Sequence, residues 1–450
     1  MKKIGFICFG EINTPISKIQ EKHDQAINLL TNLDIEILDA GIVIDDAEYN
    51  TADNAIEKLI NFDMDCIIIC IAGWIPTHAV IRVTDHFRHI PVLLWGLCGW
   101  KEGEKIITTA DQAGTTALRF AFDAMDYRFK FVYNVIGEAE PIEKISTFID
   151  AAYTVKQLRK ARIGTMGYRD MLLYGTQFEG NSLRGKFGVE VEPFEMLEIV
   201  QNTEKLNDEK IEAGIQYIKN NWVFKQSCDN DVLRKGVMYA LAIGKKIEER
   251  KYEAVSLIDV DGMKKLLEFP PAMVFMLLEH YYNVLTIPEN DIMGSVTQLI
   301  MKYITGQVIP YFEYYEFFKE SMLVGVPDYI PIAITDGDVT VLPTAFGLLP
   351  PSLVNISRPK TGYVTCARLI YKKGRYFMHA YTGTAKKSMP WEEYGWDSPA
   401  PQLPGLEIFP DSCTVEEFAQ KVSGQHVIIA YGNYLDAIKD LCDLLDIELI

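Results

Sequence analysis

The first 150 residues alternate short apolar runs with amphipathic stretches, and this alternation limits the folds that the chain can adopt. Four runs have the length and composition of buried strands: 3–9, 35–38, 65–72 and 91–95. Strands that alternate with helices form parallel sheets covered by helices on both faces. The pattern therefore predicts a doubly wound α/β domain over residues 1–158.

The rest of the chain divides into two further regions. A turn at 163–167 opens a second α/β region, whose clearest helix begins near Asp231 and carries Leu233, Val237 and Leu241 on one stripe. We therefore predict a second doubly wound α/β domain over residues 159–324.

From about residue 325 the pattern changes to strands and turns. Its clearest element is a hairpin with strands at 363–371 and 375–381, joined by a turn at 372–374. The Pro-rich stretch 398–404 is expected to form an extended loop. We predict that residues 325–450 form a β-rich, barrel-like C-terminal domain.

Composition and charge exclude several classes of protein. The chain has 62 acidic and 44 basic residues, a formal charge of −18 that disfavours nucleic acid as a partner. Its longest apolar run, 66–76, is shorter than the roughly 20 residues that cross a bilayer, so no membrane partner is expected. The eight cysteines show no CxxC spacing and indicate buried thiols of a reducing compartment. The N-terminal apolar run is too short for a signal peptide, so we expect a cytoplasmic protein.

Two well-known site motifs are missing from the sequence. A dinucleotide-binding domain would have a glycine-rich turn after the first strand, but residues 10–15 read GEINTP. The segment 180–185 reads GNSLRG and lacks the GxSxG spacing of a nucleophile elbow. We therefore expect neither NAD binding nor a hydrolase triad.

The most informative stretch is 282–316. A predicted strand at 284–287 leads to Glu289, Asn290 or Asp291 can cap a helix that follows, and Gly306 can end it. A second apolar run then leads to Glu313. If this stretch is one right-handed strand-helix-strand unit, Glu289 and Glu313 lie at the carboxyl ends of neighbouring parallel strands, where α/β sheets bind ligands.

Two converging carboxylates repel each other unless one is protonated or a cation lies between them. A divalent metal removes the repulsion, and oxygen ligands with one or two imidazoles favour manganese or magnesium. Solvated glutamates at strand ends are the alternative interpretation of the same pair.

The same stretch resembles the metal-binding segment of the L-fucose isomerase family, within the L-fucose/L-arabinose isomerase superfamily. The resemblance rests on the run 289–291 (Glu-Asn-Asp), on Gly294, on the run 305–307 (Thr-Gly-Gln), and on Glu313, a carboxylate 24 positions after Glu289. Near the C-terminus, Gln425-His426 followed by Ala-Tyr-Gly at 430–432 resembles the last motif of the family.

The resemblance implies a metal centre and a reaction. Glu289, Glu313 and His426 would be the metal ligands, with Mn²⁺ as the cofactor and Mg²⁺ or Co²⁺ as alternatives. The implied activity is aldose-ketose isomerisation of an open-chain sugar through a cis-enediol, with Glu289 and Glu313 as the catalytic acid and base. The family also implies a homo-hexamer with its active site at a subunit interface.

Four further residues are candidates for contacting the sugar. The resemblance implies that Trp74 covers the sugar bound by a neighbouring subunit, and that Met166, Asp261 and Gln425 line the pocket. Three of them have a structural alternative: Trp74 as a rim aromatic, Met166 as a core residue, and Gln425 as a solvent-facing amide.

Two other functions stay open at this stage. Where Glu313 stands, fucose isomerases usually have aspartate followed by a basic residue, whereas this chain continues Tyr-Tyr-Glu. A non-catalytic sugar-binding protein on the same fold is therefore one alternative, and a metal-dependent sugar epimerase is the other. The sequence also leaves open which sugar is bound, which metal is native and which carboxylate is the base at C2.

Overall fold

The computed structural model describes residues 1–326, 329–344, 352–397 and 403–450. The chain forms two compact units: the first comprises 1–156 with 436–446, and the second comprises 157–435 with 447–450. The division near residue 157 lies next to the predicted boundary between the first and second domains. The second unit contains both the second parallel sheet and the β-rich region.

The first unit is built on a parallel sheet. Its strands are β1 (Lys2–Phe9), β2 (Ile35–Val43), β3 (Cys66–Ile71), β4 (Val92–Gly96) and β7 (Phe129–Tyr133), and a separate hairpin consists of β5 (Trp100–Glu102) and β6 (Lys105–Ile107). The strand order is β2-β1-β3-β4-β7, and all four pairings are parallel. The helices are α1 (Ile16–Leu30), α2 (Asn50–Leu59), α3 (Thr77–Thr84), α4 (Asp111–Ala124), α5 (Ile142–Leu158) and, near the C-terminus, α13 (Leu435–Leu445).

Four of these strands correspond to the apolar runs predicted from the sequence, and the fifth was not predicted. Strand β3 has the sequence CIIICI, and every one of its residues is buried between covering layers, as continuous apolar runs of parallel sheets are. Strand β7 lies at the sheet edge, contains Lys130, and is only partly buried. The other edge strand, β2, is also only partly buried but was predicted, so the edge position alone does not account for the difference.

The second unit contains a second parallel sheet. Its strands are β8 (Arg162–Met166), β9 (Glu190–Phe194), β11 (Ala254–Leu257) and β12 (Leu285–Ile287), in the order β12-β11-β8-β9. Its helices are α6 (Gly180–Phe187), α7 (Met196–Thr203), α8 (Asp208–Asn221), α9 (Asn230–Arg250), α10 (Ala272–Tyr282) and α11 (Ile292–Thr305). The helix predicted near Asp231 is α9, although its buried stripe continues from Val237 through Ala240 and Ile243 and leaves Leu241 half-buried.

A β-barrel follows this sheet along the chain. Among the described residues it has six strands: β13 (Tyr311–Phe317), β14 (Met322–Gly325), β19 (Gly362–Lys372), β20 (Arg375–Lys387), β21 (Gly405–Pro410) and β22 (His426–Tyr431). The order β19-β22-β13-β14-β21-β20 closes on itself because β19 also pairs with β20. The predicted hairpin is β19–β20, with Lys373 and Gly374 in the left-handed conformation that a two-residue turn needs.

Short elements complete the second unit. They are β10 (Val223–Phe224), β15 (Thr335–Asp336), β16 (Thr340–Thr344), β17 (Ser352–Asn355), β18 (Arg358–Pro359), β23 (Glu448–Leu449) and helix α12 (Val415–Ala419). Residues 398–402 of the predicted Pro-rich loop lie outside the described part of the chain.

In its coarse form the predicted fold class, parallel α/β sheets with a β-rich barrel, is confirmed. The domain boundaries differ in two respects: strand β13 begins at Tyr311 and already belongs to the barrel, and the segment 436–446 belongs to the first unit. The division of the chain into three domains stays a prediction.

The prediction of a strand-helix-strand unit at 282–316 was wrong for the second strand. Strand β12 and helix α11 form as expected, with the Asp291 side chain capping α11 and Gly306 ending it. Strand β13, however, pairs antiparallel with β14 and β22, so Glu313 lies inside a barrel strand. Pro310 precedes it and has no N–H to donate to a parallel neighbour, which agrees with the chain leaving the sheet at this point.

Candidate metal centre

Glu289 follows the carboxyl end of strand β12 in a strained turn. Glu289 and Asn290 both have left-handed backbones, with φ of 63° and 51°. The Asn290 amide holds this turn in place: it donates to the carbonyls of Met166 (3.0 Å) and Tyr168, and its oxygen accepts the Thr165 hydroxyl (3.0 Å). Left-handed non-glycine residues persist where their surroundings determine the conformation, and they are frequent at functional sites.

A buried carboxylate fixes the backbone of the same turn. The N–H of Glu289 donates to Asp259 Oδ1 at 2.9 Å, and Asp259 Oδ2 lies 2.9 Å from the Lys264 ammonium. Asp259 is 1% exposed. Residues at the ends of two neighbouring strands of the parallel sheet thus hold the backbone that carries the Glu289 side chain.

The barrel brings Glu313 and His426 together by strand register. Glu313 on β13 is the direct partner of His426 on β22 in the antiparallel ladder. Directly opposed residues on neighbouring strands have their Cβ atoms about 4.5–5.5 Å apart on one face. The register therefore makes these two side chains neighbours, although they are far apart in the sequence.

The three predicted metal ligands meet in space. One oxygen each of Glu289 and Glu313 and one nitrogen of His426 all lie within 4.8 Å of one another. The His426 Nε2 atom is 3.4 Å from Glu289 Oε2 and 3.8 Å from Glu313 Oε1. Two carboxylate oxygens and one imidazole nitrogen at these separations form a ligand set that suits Mn²⁺ or a similar divalent ion.

The two nitrogens of His426 have different surroundings. Nδ1 lies 2.7 Å from Asp291 Oδ2 and hydrogen bonds to it, whereas Nε2 is buried and has no hydrogen-bond partner among the described residues. A metal-binding histidine commonly bonds a carboxylate through one nitrogen and the metal through the other. The Nε2 atom faces two carboxylates and has no hydrogen-bond partner among the described residues. These residues therefore fit a metal ion.

Asp291 is in turn paired with a buried arginine. Arg368, from barrel strand β19, donates to both carboxylate oxygens of Asp291, one of the bonds being 2.9 Å long. Asp291 is 0% and Arg368 is 6% exposed. Burial favours protonation of Asp291, but the charge of Arg368 and the hydrogen bond to His426 outweigh it, so the pKa of Asp291 is well below its usual range.

Two of the three predicted ligands have shifted pKa values. Burial raises the pKa of Glu289 to about 7, against the opposing charge of His426. For His426, burial lowers the pKa, but the hydrogen bond with Asp291 and the neighbouring glutamates raise it to about 10. Strongly perturbed pKa values within one buried cluster are typical of functional sites.

The four residues predicted to contact the sugar occupy different surroundings. Gln425 lies at the cluster and donates to Glu289 Oε2 at 2.6 Å. The Met166 side chain is fully buried at the end of β8, and Asp261 accepts the N–H of Met171 (2.7 Å) and pairs with Lys265. Trp74 lies in the first unit and is 38% exposed. Their roles toward a substrate stay predictions.

Two residues beside the cluster have roles that the sequence did not predict. Asp291 is predicted as a possible helix cap and as a member of the Glu-Asn-Asp run, but not as the partner of His426, and no role is predicted for Arg368. Arg368 stands in the run VTCARLI, where one charged residue interrupts an otherwise largely apolar strand. Such an interruption is the signal that could have identified it, because buried charges occur where they are paired.

The comparisons with known proteins leave the family open. No family model matches the sequence, and no curated protein matches it. Solved structures with partial similarity include an ABC transporter solute-binding protein from Agrobacterium vitis bound with α-D-tagatopyranose, with 12% identity, coverage of 64% of this chain and 93% of the other, and a TM-score of 0.17. A periplasmic solute-binding protein from Actinobacillus succinogenes with bound D-allose has 12% identity, coverage of 74% and 96%, and a TM-score of 0.17. TM-scores this low carry no conclusion about the fold or the function of this chain.

Over the described residues, no helix is both long enough and apolar enough to cross a membrane. The cytoplasmic location stays a prediction.

Proposed function

We propose that the protein is a metal-dependent aldose-ketose isomerase that resembles the L-fucose isomerases and acts on open-chain sugars. The observation that supports this proposal most strongly is the meeting of Glu289, Glu313 and His426 within 4.8 Å, around an imidazole Nε2 that has no hydrogen-bond partner in the described chain. Mn²⁺ is the proposed ion, since its preferred ligands are carboxylate oxygens and imidazole.

The protein groups have distinct tasks in this proposal. A metal bound by Glu289, Glu313 and His426 would polarise the sugar carbonyl and make the C2 proton acidic. One of the two glutamates then removes the proton from C2, and the other assists proton transfer between O1 and O2. Asp291 keeps His426 oriented with Nε2 toward the glutamates, and Gln425 fixes the Glu289 carboxylate.

The test compares two glutamates of one strand. Glu313→Gln should reduce isomerisation by about 10²–10⁴-fold and weaken Mn²⁺ binding, because it removes a carboxylate from the cluster. Glu316→Gln changes an exposed glutamate of the same strand and should leave both unchanged. Purified protein with added Mn²⁺ would be assayed on a panel of pentoses and C6-modified hexoses. Equal rates for the two variants would refute the assignment.

Two other candidates share this site. A non-catalytic sugar-binding protein would bind a sugar without interconverting it, and the departures after Glu313 are what suggest it. The solved structures cited above are sugar-binding proteins, although their TM-scores give no argument for this candidate. A metal-dependent epimerase would return the proton to the same carbon, so solvent deuterium at C2 of an unisomerised aldose would identify it.

A further inference from the structure

A cavity of about 460 Å³ lies at the carboxyl edge of the second parallel sheet. Its wall includes Thr165 and Gly167 at the end of β8, Val191 and Pro193 on β9, and Asn290 after β12. Open α/β sheets bind ligands at this edge, and small-molecule cavities commonly have volumes of about 300–1,000 Å³. The position and the size therefore suit a sugar-sized molecule.

The formal charge on the described lining of this cavity is positive. Besides apolar and neutral polar groups, the described residues that line it include Arg169 and no carboxylate. A cavity that contains a guanidinium and no carboxylate is unusual in a chain with a formal charge of −18.

Arg169 is available to a ligand. Its guanidinium stacks on the Tyr174 ring at 4.7 Å, and within the described chain it forms no ion pair. The adjacent carboxylate of Asp170 is engaged elsewhere, since it accepts the backbone N–H groups of Val260 (2.8 Å) and Asp261 (2.7 Å). A guanidinium held by an aromatic ring and left without a carboxylate is suited to bidentate pairing with an oxyanion.

The segment that carries Arg169 has a constrained backbone. Met171 and Leu172, which follow directly, are both left-handed, with φ of 45° and 54°. The N–H of Met171 is held by Asp170 Oδ1 (3.0 Å) and Asp261 Oδ2 (2.7 Å). The buried Asp170 and the partly exposed Asp261 thus hold a strained turn beside the cavity, and such turns are frequent at ligand sites.

Two of the cavity residues approach the metal cluster along the chain: one follows a predicted ligand, and the other follows a glycine that lies beside Arg368 and Gln425. Asn290 directly follows Glu289, and Thr176 directly follows Gly175. The Gly175 carbonyl accepts a hydrogen bond from the Arg368 guanidinium (3.4 Å). A Cβ atom added to Gly175 would lie 3.8 Å from the side-chain oxygen of Gln425. Since successive Cα atoms are about 3.8 Å apart, these two cavity residues lie close to the residues around the cluster.

We propose, resting on the isomerase function proposed above, that the substrate is a sugar bearing an oxyanion at the end remote from its carbonyl, and that Arg169 in this cavity binds the oxyanion. The oxyanion is a phosphate or a carboxylate. Thr176 and Gln177 supply the neutral polar groups beside it.

The experiment measures binding to the Mn²⁺-loaded full chain by calorimetry. The probes are a neutral pentose, the same pentose as its 5-phosphate, and a hexuronate. We expect at least one charged probe to bind tenfold or more tightly than the neutral sugar, with an advantage that declines as salt is added. Tighter binding of the phosphate or of the uronate identifies which oxyanion the site takes.

Arg169→Gln is the decisive variant, and Arg375→Gln is its control. Arg375 is an exposed arginine of the same unit, paired with Glu448, so its replacement changes the net charge equally without touching the cavity. Arg169→Gln should abolish the advantage of the charged probe and leave the affinity for the neutral sugar unchanged, whereas Arg375→Gln should alter neither. Charged and neutral probes that bind equally, or an Arg169→Gln variant that weakens both equally, would overturn the inference.

Turnover separates this inference from the proposed function. Isomerisation of neutral sugars alone would support the isomerase and refute the oxyanion site. Arg169-dependent binding of a charged sugar without any isomerisation would support the site and refute the isomerase.

Discussion

At the scale of single residues, the candidate metal centre depends on how one imidazole is held. His426 is oriented by Asp291, and Asp291 is itself paired with Arg368, so three buried groups from three segments of the chain form one network. A buried ion pair is costly to form, but it is much more costly to break, because one charge is then left without a partner. The network therefore specifies the geometry of the site more than it adds to stability.

Replacing Asp291 by asparagine should reveal this dependence. The amide cannot neutralise Arg368, so Asp291→Asn is expected to lower the free energy of unfolding by about 3–5 kcal/mol. Under conditions where the variant is folded, its Mn²⁺ affinity should fall about 10–100-fold, since His426 loses its orienting carboxylate. Denaturant unfolding and metal titration measure the two effects.

The matched control is Asp338→Asn, which changes an exposed aspartate of the same unit. Its stability should stay within about 0.5 kcal/mol of the wild type, with unaltered metal affinity. If Asp291→Asn bound Mn²⁺ as tightly as this control, the orienting role of Asp291 would be excluded.

At the scale of elements, helix α11 connects the parallel sheet to the barrel. The Thr297 hydroxyl of α11 accepts the N–H of Leu369 on β19 (2.9 Å), and the Gln298 amide of α11 donates to the carbonyls of Thr286 on β12 and Ile309 before β13 (both 3.0 Å). These bonds set the distance between the strand that precedes Glu289 and the strand that carries Glu313.

The first turn of α11 has no room for a larger residue at Gly294. A Cβ at this position would lie 2.6 Å from Asp291 Oδ2 and 2.8 Å from Arg368 Nη1. Gly294→Ala should therefore destabilise the protein by about 1–3 kcal/mol, despite the better helix propensity of alanine, and weaken metal binding. Thermal unfolding and Mn²⁺ titration test both expectations.

Gly185→Ala provides the comparison within a helix. Gly185 lies in α6, and an added Cβ would meet no atom of the described residues within 4 Å. Its replacement should stabilise the protein by about 0.5–1 kcal/mol. Equal effects of the two substitutions would show that close approach at Gly294 has no consequence.

Helix α1 of the first unit is connected to strand β2 by a charged pair. His23 on α1 lies 3.0 Å from Asp39 on β2, and this hydrogen bond raises the pKa of His23 to about 9, against burial, which lowers it. The folded state thus binds this proton more tightly than the unfolded chain, whose histidines titrate near pH 6.5. The stabilisation is complete below about pH 6.5 and is lost as the pH rises through about 9.

His23→Gln should remove this component of the pH dependence. Between pH 6.5 and 9 the free energy of unfolding of the wild type should decline more steeply than that of the variant. The exposed His89→Gln is the control and should follow the wild type. Parallel curves for wild type and His23→Gln in denaturant unfolding would contradict the assignment of this proton to His23.

At the scale of the whole molecule, the sequence predicts an assembly of several chains. The resemblance to L-fucose isomerases predicts a homo-hexamer in which a neighbouring subunit covers the site, and the exposed Trp74 is the residue predicted to do so. Light scattering coupled to size exclusion should give a mass of six 51.1-kDa chains. A single species with the mass of one chain would contradict this expectation.

The amino-acid sequence by itself determined the local features of this protein. The apolar run of β3, the Asp291 cap and Gly306 end of α11, and the Lys373-Gly374 turn follow from burial, capping and left-handed backbone preferences, which act over a few residues. Motif resemblance also identified Glu289, Glu313 and His426 as candidates.

Only the tertiary structure decided how these residues meet. Glu313 faces His426 because two antiparallel barrel strands pair in one register, while Glu289 reaches them from the edge of a separate parallel sheet. The sequence suggested one continuous parallel sheet instead. Strand register depends on packing between segments distant in sequence, so no local pattern specifies it, and the Asp291–Arg368 pair stayed hidden for the same reason.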